Sequence, residues 1–393
     1  MKLKYFIYSI CLAVLALYSC QKEDDLENLV DLSSPYVLDY LKDSQDPIDQ
    51  RRYEIYQTYG VAVFLHDKVS EVQVGTDYKG DPIYKTETLD ISWDFYTDPN
   101  ADYSFTYLQS QEGEGEEGTE LTEEEKSQEL ADVNLALDYV ETYLSMAGET
   151  KPFSILLLDR LYYSGKVLDY YKGFRTLYIG NAASYPDPAD MRMRSGEIIN
   201  SSVLPLVQLD EALCKEFETI SEEKHYYRKQ WKKDLGETYS SDLNAFVNSP
   251  FYLKLSYAFD ESNLETIANN PIMSMVVMYY NWGYGDWSSS YGIPSIAFAL
   301  KYNGNVEAVK EVALELVAMA AKYGFIGGGW TADVTYSPTL SEDVETYVAE
   351  ILKLGAGGME ERYGAYPLVM EKFKILKDYI QNKLGVDLNY NNI

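Results

Sequence analysis

Histidine and cysteine are scarce in this chain: it has two and three among 393 residues. Three cysteines cannot build a disulfide framework, so covalent cross-links through sulfur are not what holds the fold. Cys11 lies in the N-terminal apolar run, and Cys214, inside a helical pattern, reads as a buried thiol behaving as a small hydrophobe. The histidines, His66 and His225, are far apart in sequence, so no helix carries the i, i+4 imidazole pair that grips zinc. Basic residues are also few, 33 against 63 acidic ones, for a formal charge of −30. Such a field repels phosphates and anionic lipid, which excludes nucleic acid as a partner. No second run of 18 apolar residues follows the first, so the sequence offers no further membrane-spanning helix.

What is present begins at the N-terminus. Lys2 and Lys4 precede the apolar stretch 6–17, which is shorter than the roughly 20 residues needed to cross a bilayer core. It ends in Leu17-Tyr18-Ser19-Cys20, which resembles a bacterial lipobox cut before the cysteine. The Cys20 thiol is thus the expected lipidation site, and several acyl chains make a firm anchor. The following Gln21-Lys22-Glu23-Asp24-Asp25 resembles the acidic tag that sends Bacteroidetes lipoproteins to the outer face of the outer membrane. The competing reading is an ordinary cleaved secretory signal with an incidental cysteine. The expected organisation is a signal peptide over 1–19, an acidic tether over 20–33 and one domain over 34–393. The expected location is the cell outer membrane, lipid-anchored and surface-exposed. Removing residues 1–19 leaves 374 residues and takes the charge to −32 as Lys2 and Lys4 leave.

An apolar fraction of 46% is ordinary for a globular core. Tyrosine dominates the aromatics, 38 against 13 phenylalanines and 5 tryptophans. Its amphipathic ring suits both half-buried faces and contact with sugars or peptides. Along 53–65 the pattern reads as a helix end, a turn at Gly60 and a strand. Strands near 71–75 and 83–93, joined by a turn at Lys79-Gly80-Asp81-Pro82, and a further strand over 103–108, predict a small sheet. The Glu/Gly-rich stretch at about 110–121 has nothing to bury and repels itself, so it reads as a disordered loop. It lacks the spacing of an EF-hand calcium loop. Thr122-x-x-Glu125 is a capping box for a helix with Leu130, Val133, Leu137, Val140 and Leu144 at helical spacing. The apolar runs 153–159 and 175–180 read as buried strands. Beyond about 190 helices dominate, the clearest being 306–323, 341–354 and 367–384, stopped by Gly324, Gly355 and Gly385. Sheet first and helices later makes the expected class α+β.

The stretches Tyr323-Gly-Phe-Ile-Gly-Gly-Gly-Trp330, Ser337-Pro-x-x-Ser-Glu-Asp-Val-Glu-Thr-Tyr-Val348, 372–380 and Leu384-Gly-Val-Asp-Leu388 carry a family likeness. Segments 55–65 and 217–222 contribute to it. Together they resemble the Bacteroidetes substrate import-associated zinc metallohydrolase lipoproteins, described as zinc-binding metallopeptidases. The resemblance covers most of the chain after the signal and is strongest beyond residue 320. It implies a zincin-like metallopeptidase fold, with an N-terminal mixed sheet and a largely helical C-terminal half. It also implies the company of SusC/SusD-type nutrient uptake proteins.

Zinc peptidases of this kind carry His-Glu-x-x-His on a helix, with two imidazoles on the metal and the Glu as general base. This chain has no such motif. The family spacing, counted back from Phe217, lands near 201–205, where Ser201, Ser202 and Pro205 stand in place of ligands and base. Serine is a poor zinc ligand and proline offers no side-chain donor. Glu342, Asp343 and Glu345 match the family's acidic cluster, yet read here as caps at the positive end of a helix beginning at Ser341. Gly327-Gly328-Gly329 lacks the following Lys-Ser/Thr of a phosphate loop and reads as a flexible turn. Near 279–291, Tyr280, Trp282, Tyr284 and Trp287 alternate with glycines as a loop of aromatic rings. The rings are ligand-binding candidates for a glycan or peptide; equally, they could plug the vestigial cleft or pack on neighbouring helices. The resulting expectation is a catalytically degenerate surface lipoprotein, without cofactor, assisting nutrient capture by such an uptake system. The alternative is an active zinc-dependent metallohydrolase or peptidase whose rearranged site uses His66, His225 and acidic residues.

Overall fold

The computed structural model describes residues 36–89, 102–108, 122–243, 268–269, 301, 303–327, 329–331 and 334–389. Cys20, the tether 20–33, the acidic stretch 110–121 and the aromatic candidates Tyr280, Trp282, Tyr284 and Trp287 lie outside those residues.

Helix α1 (Pro47–Tyr59) starts on Asp46, whose carboxylate accepts the Ile48 N–H, with Pro47 in the first turn. It stops at Gly60, which takes φ 71°, and the chain turns directly into β1 (Ala62–Phe64). The buried Arg52 ties the two together, donating from Nε to the Val63 carbonyl at 2.8 Å and pairing with Asp49 at 2.9 Å. Helix α2 (Glu123–Met146) opens with the reciprocal Thr122–Glu125 box expected from the sequence. Of its five spaced apolar residues, Val133, Leu137, Val140 and Leu144 are buried and Leu130 is exposed.

The central strand is β5 (Ser154–Tyr163). It pairs in parallel with β1 on one side and β8 (Thr176–Ile179) on the other. β7 (Tyr170–Lys172) closes that side as an antiparallel edge strand on β8. The far half of β5 pairs antiparallel with β4 (Tyr103–Tyr107) and β6 (Lys166–Leu168), making six strands in all. Ile155 and Leu157 point into the helical core, whereas Leu156 and Leu158 point to a second core with Leu38, Phe64 and Tyr178. Both faces are covered, which is why the strand reads as an unbroken apolar run. The expected small sheet over 53–108 is divided. β1 and β4 join β5, while β2 (Lys68–Thr76) and β3 (Pro82–Thr88) form a separate hairpin turning at Gly80, φ 92°.

The rest is chiefly helical: α3 (Pro188–Leu209), α4 (Glu211–Ser221), α5 (Val306–Ala321), α6 (Leu340–Tyr363) and α7 (Pro367–Asp378), with short strands β9 (Gly329–Thr331) and β10 (Val334–Tyr336). The class is α+β, a mixed sheet in the N-terminal half and helices in the C-terminal half. One apolar core runs from Ile48 and Val63 to Leu352 and Leu388, so the early sheet and the late helices share an interior.

Helix α5 ends at Ala321, two residues short of the expected 323, and α7 ends at Asp378 and is followed by a π-helical turn over Tyr379–Lys383. Both bounds of α6 differ from the sequence reading. Helix α6 begins at Leu340, one residue before the expected Ser341, because Thr339 and Glu342 form a second reciprocal box. Gly355 does not end the helix. It takes φ 66°, ψ −179°, a conformation essentially reserved for glycine, and the helix kinks and continues to Tyr363. Two long-range contacts sustain the kink. The Ala356 N–H donates to the Leu388 carbonyl at 2.8 Å, and the buried Glu350 carboxylate accepts from Arg362 (2.7 Å) and Tyr363 (3.1 Å) across it. Of the expected glycine turn at 327–329, Gly329 opens β9 and residue 328 lies outside the described residues.

Candidate functional site

Helix α3 carries the Ser201–Pro205 segment and decides where it points. Asp187 caps the helix and Pro188 starts it. Gly196 lets it approach α6 so closely that a Cβ there would stand 2.8 Å from the Leu352 carbonyl oxygen. Gln208 reaches Ser341 at 3.1 Å at the other end, so the two helices run antiparallel side by side. Gly196, Val203 and Val207 therefore form the α6-facing stripe, and Ser201 and Pro205 fall more than a quarter turn away.

The segment's own neighbours are on the sheet edge. Lys172 of β7 donates from Nζ to the Ser202 hydroxyl at 2.8 Å. Ser201 donates to the Ile198 carbonyl at 2.6 Å, and Pro205 is exposed. One turn earlier, Tyr170 donates to the Glu197 carbonyl at 3.3 Å, and Arg194 pairs with Asp169 (3.0 Å) and Glu197 (3.2 Å). Asp169 also accepts from Tyr185 and Asn181. The result is a polar seam joining β7 to α3. Partial burial pushes the Lys172 ammonium below the usual lysine range.

The acidic cluster has scattered roles. Glu342 accepts the Thr339 N–H at 2.8 Å and pairs with Arg228 at 3.2 Å, and Glu345 is exposed. Among the described residues, no hydrogen bond or ion pair joins either carboxylate to Ser201 or Ser202. The two halves of the expected vestigial set thus lie on adjacent helices and face different ways. Between α3, α4 and the start of α6 there is an open cleft of about 430 Å³, lined by Gln208, Cys214, Lys215, Ser341 and Val344 among others. Cys214 is only partly buried: it packs against the main core and also lines this cleft, with its Sγ 3.4 Å from the Val207 carbonyl.

Asp343, expected with the caps, turns inward instead. Its Oδ2 accepts from Lys372 Nζ of α7 at 2.5 Å and from the Tyr226 hydroxyl at 2.8 Å, while Lys372 also donates to Tyr226 at 2.8 Å. All three residues are at most 1% exposed. The ammonium sits 4.5 Å from the Phe217 ring centre, 4.6 Å from Phe325, 5.0 Å from Tyr226 and 5.6 Å from Tyr347. The other carboxylate oxygen, Oδ1, is buried without a partner. Burial pushes Asp343 up and Lys372 down, each opposed by the other's charge. Sequence reasoning missed this group, although Lys372 stands among Val369, Phe373 and Leu376, at a spacing that belongs to the buried stripe of α7.

The histidines lie apart in different surroundings. His225 Nδ1 lies 2.7 Å from the Ser221 carbonyl and its ring meets Tyr323 edge-on. His66, just after β1, is half-buried, with Nδ1 unpartnered, and burial pushes it below the usual range. Among the described residues no three His, Cys, Asp or Glu side chains are grouped to hold a metal ion, and no helix is long and apolar enough to cross a membrane.

Three carboxylates around the cleft share one pH response. Asp210 is held below the usual range by Lys383 and the Leu213 N–H, and Glu218 by Lys215 and Tyr227 against the effect of burial. For Glu342 burial also works upward, and Thr339 and Arg228 outweigh it. A carboxyl group whose folded pKa is depressed contributes stability above its unfolded value and loses it as pH falls through the folded one. The melting temperature should therefore hold steady above about pH 5 and fall as pH drops below about 4. Calorimetry from pH 6 to pH 3 checks this; an unchanged midpoint contradicts it.

Comparison with known proteins identifies no relative: no family model, no curated protein and no solved structure matches the chain.

Proposed function

We propose that this chain is a catalytically degenerate, zincin-like surface lipoprotein that assists nutrient capture by a SusC/SusD-type uptake system. The observation that carries the reading is the seam between β7 and α3. At the positions where the family resemblance puts imidazoles and a general base, the hydroxyls of Ser201 and Ser202 are engaged by the Ile198 carbonyl and the Lys172 ammonium. A zinc ion placed there would meet a lysine charge of its own sign and side chains that are weak ligands. The zincin-like fold itself is supported by the mixed sheet, with its antiparallel edge strand laid against the helix in question. Among the described residues no side chains are grouped to hold a metal ion, and binding is the role that suits the proposed anchor.

The anchor is assigned to Cys20 on the lipobox-like residues before it, and the strongly acidic chain suits a solvated surface. Replacing Cys20 with Ala should move the protein from the outer-membrane fraction to the soluble one, as detected by fractionation and immunoblotting. Retention of the variant in the membrane contradicts the assignment. A glycan and peptide binding screen tests the capture role. If the aromatic loop makes the contact, Trp282→Ala with Trp287→Ala abolishes the binding seen for the parent chain; unchanged binding removes the loop from the site.

A further inference from the structure

We propose that Lys372 and Asp343 are the two halves of an intramolecular isopeptide bond, formed in the folded chain with release of water, that ties α7 to α6. The proposal rests on geometry and stands apart from the function proposed above. Nζ lies 2.5 Å from Asp343 Oδ2, both groups are fully buried, and Phe217, Phe325, Tyr226 and Tyr347 wall the site with rings. An ion pair so placed gives up the hydration of two charges and leaves Oδ1 with no hydrogen bond at all. An amide in the same place carries no charge, and its carbonyl is a far cheaper group to leave unpartnered.

The chemistry balances without any co-reactant. Transfer of one proton along the Nζ–Oδ2 hydrogen bond gives a neutral amine and a carboxylic acid, the forms that burial favours for both groups. The Nζ lone pair attacks Cγ, forming the C–N bond. The Cγ–Oδ2 bond then breaks, and Oδ2 leaves as water with a proton donated by the Tyr226 hydroxyl. Tyr226 recovers that proton from the nitrogen. Its hydroxyl lies 2.8 Å from both reacting groups, which is what such a relay needs. Oδ1 becomes the amide oxygen. The surrounding rings exclude the water that would reverse the step. Cys214, the one cysteine among the described residues, is free, so no disulfide there does this job.

Peptide mapping of the full chain, unfolded before trypsin is added, reads the bond directly. The expected product is a branched peptide joining residues 323–353 to residues 363–374, lighter by one water than the two linear peptides together, with no cleavage after Lys372. Linear 323–353 at its full mass, with complete cleavage after Lys372, overturns the proposal. Asp343→Ala should yield linear peptides alone, and the parent digest decides the matter even if that variant folds poorly. Tyr226→Phe should slow the step on the order of 100-fold, seen as a smaller linked fraction soon after synthesis; an unchanged linked fraction removes Tyr226 from the relay.

Discussion

Lys372→Met should destabilise the fold by about 3–5 kcal/mol, the cost of leaving one member of a buried pair alone. Asp343 would then stay buried without its cation, in a site where four aromatic rings had surrounded the ammonium. The loss is spread over two apolar clusters. Phe217 and Tyr347 belong to the main core, and Tyr226 and Phe325 to the smaller one under α5. The lysine head is where the two clusters meet. The double replacement Lys372→Met with Asp343→Leu should recover part of the loss, because it removes the stranded carboxylate, while the Lys372–Asp343 link proposed above stays lost. Urea unfolding of the parent, single and double variants measures this. A single variant within 1 kcal/mol of the parent, or a double variant worse than the sum of the singles, contradicts it.

Gly196→Val should cost about 1–3 kcal/mol by overpacking, with no charge involved. A side chain there meets a backbone oxygen, Leu352, which cannot swing aside as a flexible side chain would. Helix α3 must then move off α6. The same shift displaces Ser202 and Glu197 relative to Lys172 and Tyr170, so the seam at the sheet edge is strained as well. Ser201→Ala is the control: its hydroxyl bonds back within its own helix, and losing it should change stability by less than about 0.5 kcal/mol. Equal unfolding midpoints for Gly196→Val and the parent would show that the helices are not as closely apposed as described.

Local signals made much of the fold legible before any coordinates. Thr122 with Glu125 announces α2, Gly60 announces the end of α1, and the apolar run 153–159 announces a buried strand. Each of these depends on residues adjacent in sequence. The Gly355 kink does not, since its stabilising acceptor is Leu388 and its brace is Glu350 with Arg362. A glycine read alone looks like a stop. Thr339-x-x-Glu342 repeats the box at Thr122 and sets the start of α6 at Leu340, one residue before the expected Ser341.

The site divides along the same line. That Ser201, Ser202 and Pro205 carry no imidazole or carboxylate is evident from residue type alone. Their partner Lys172 comes from a strand 30 residues earlier and could only be found in three dimensions. Closeness in sequence groups Asp343 with Glu342 and Glu345 as a cap. Helical phase separates them: Glu342 and Glu345 face outward, and Asp343 joins Tyr347 and Glu350 on the buried side.

The proposal that most needs a direct measurement is that this chain is catalytically inert. The full chain, incubated with excess zinc, desalted and assayed for bound metal and for hydrolysis of a mixed peptide library with and without chelator, provides it. The account predicts zinc well below one ion per chain and no chelator-sensitive cleavage. One zinc per chain, together with peptide hydrolysis abolished by chelator, would contradict it.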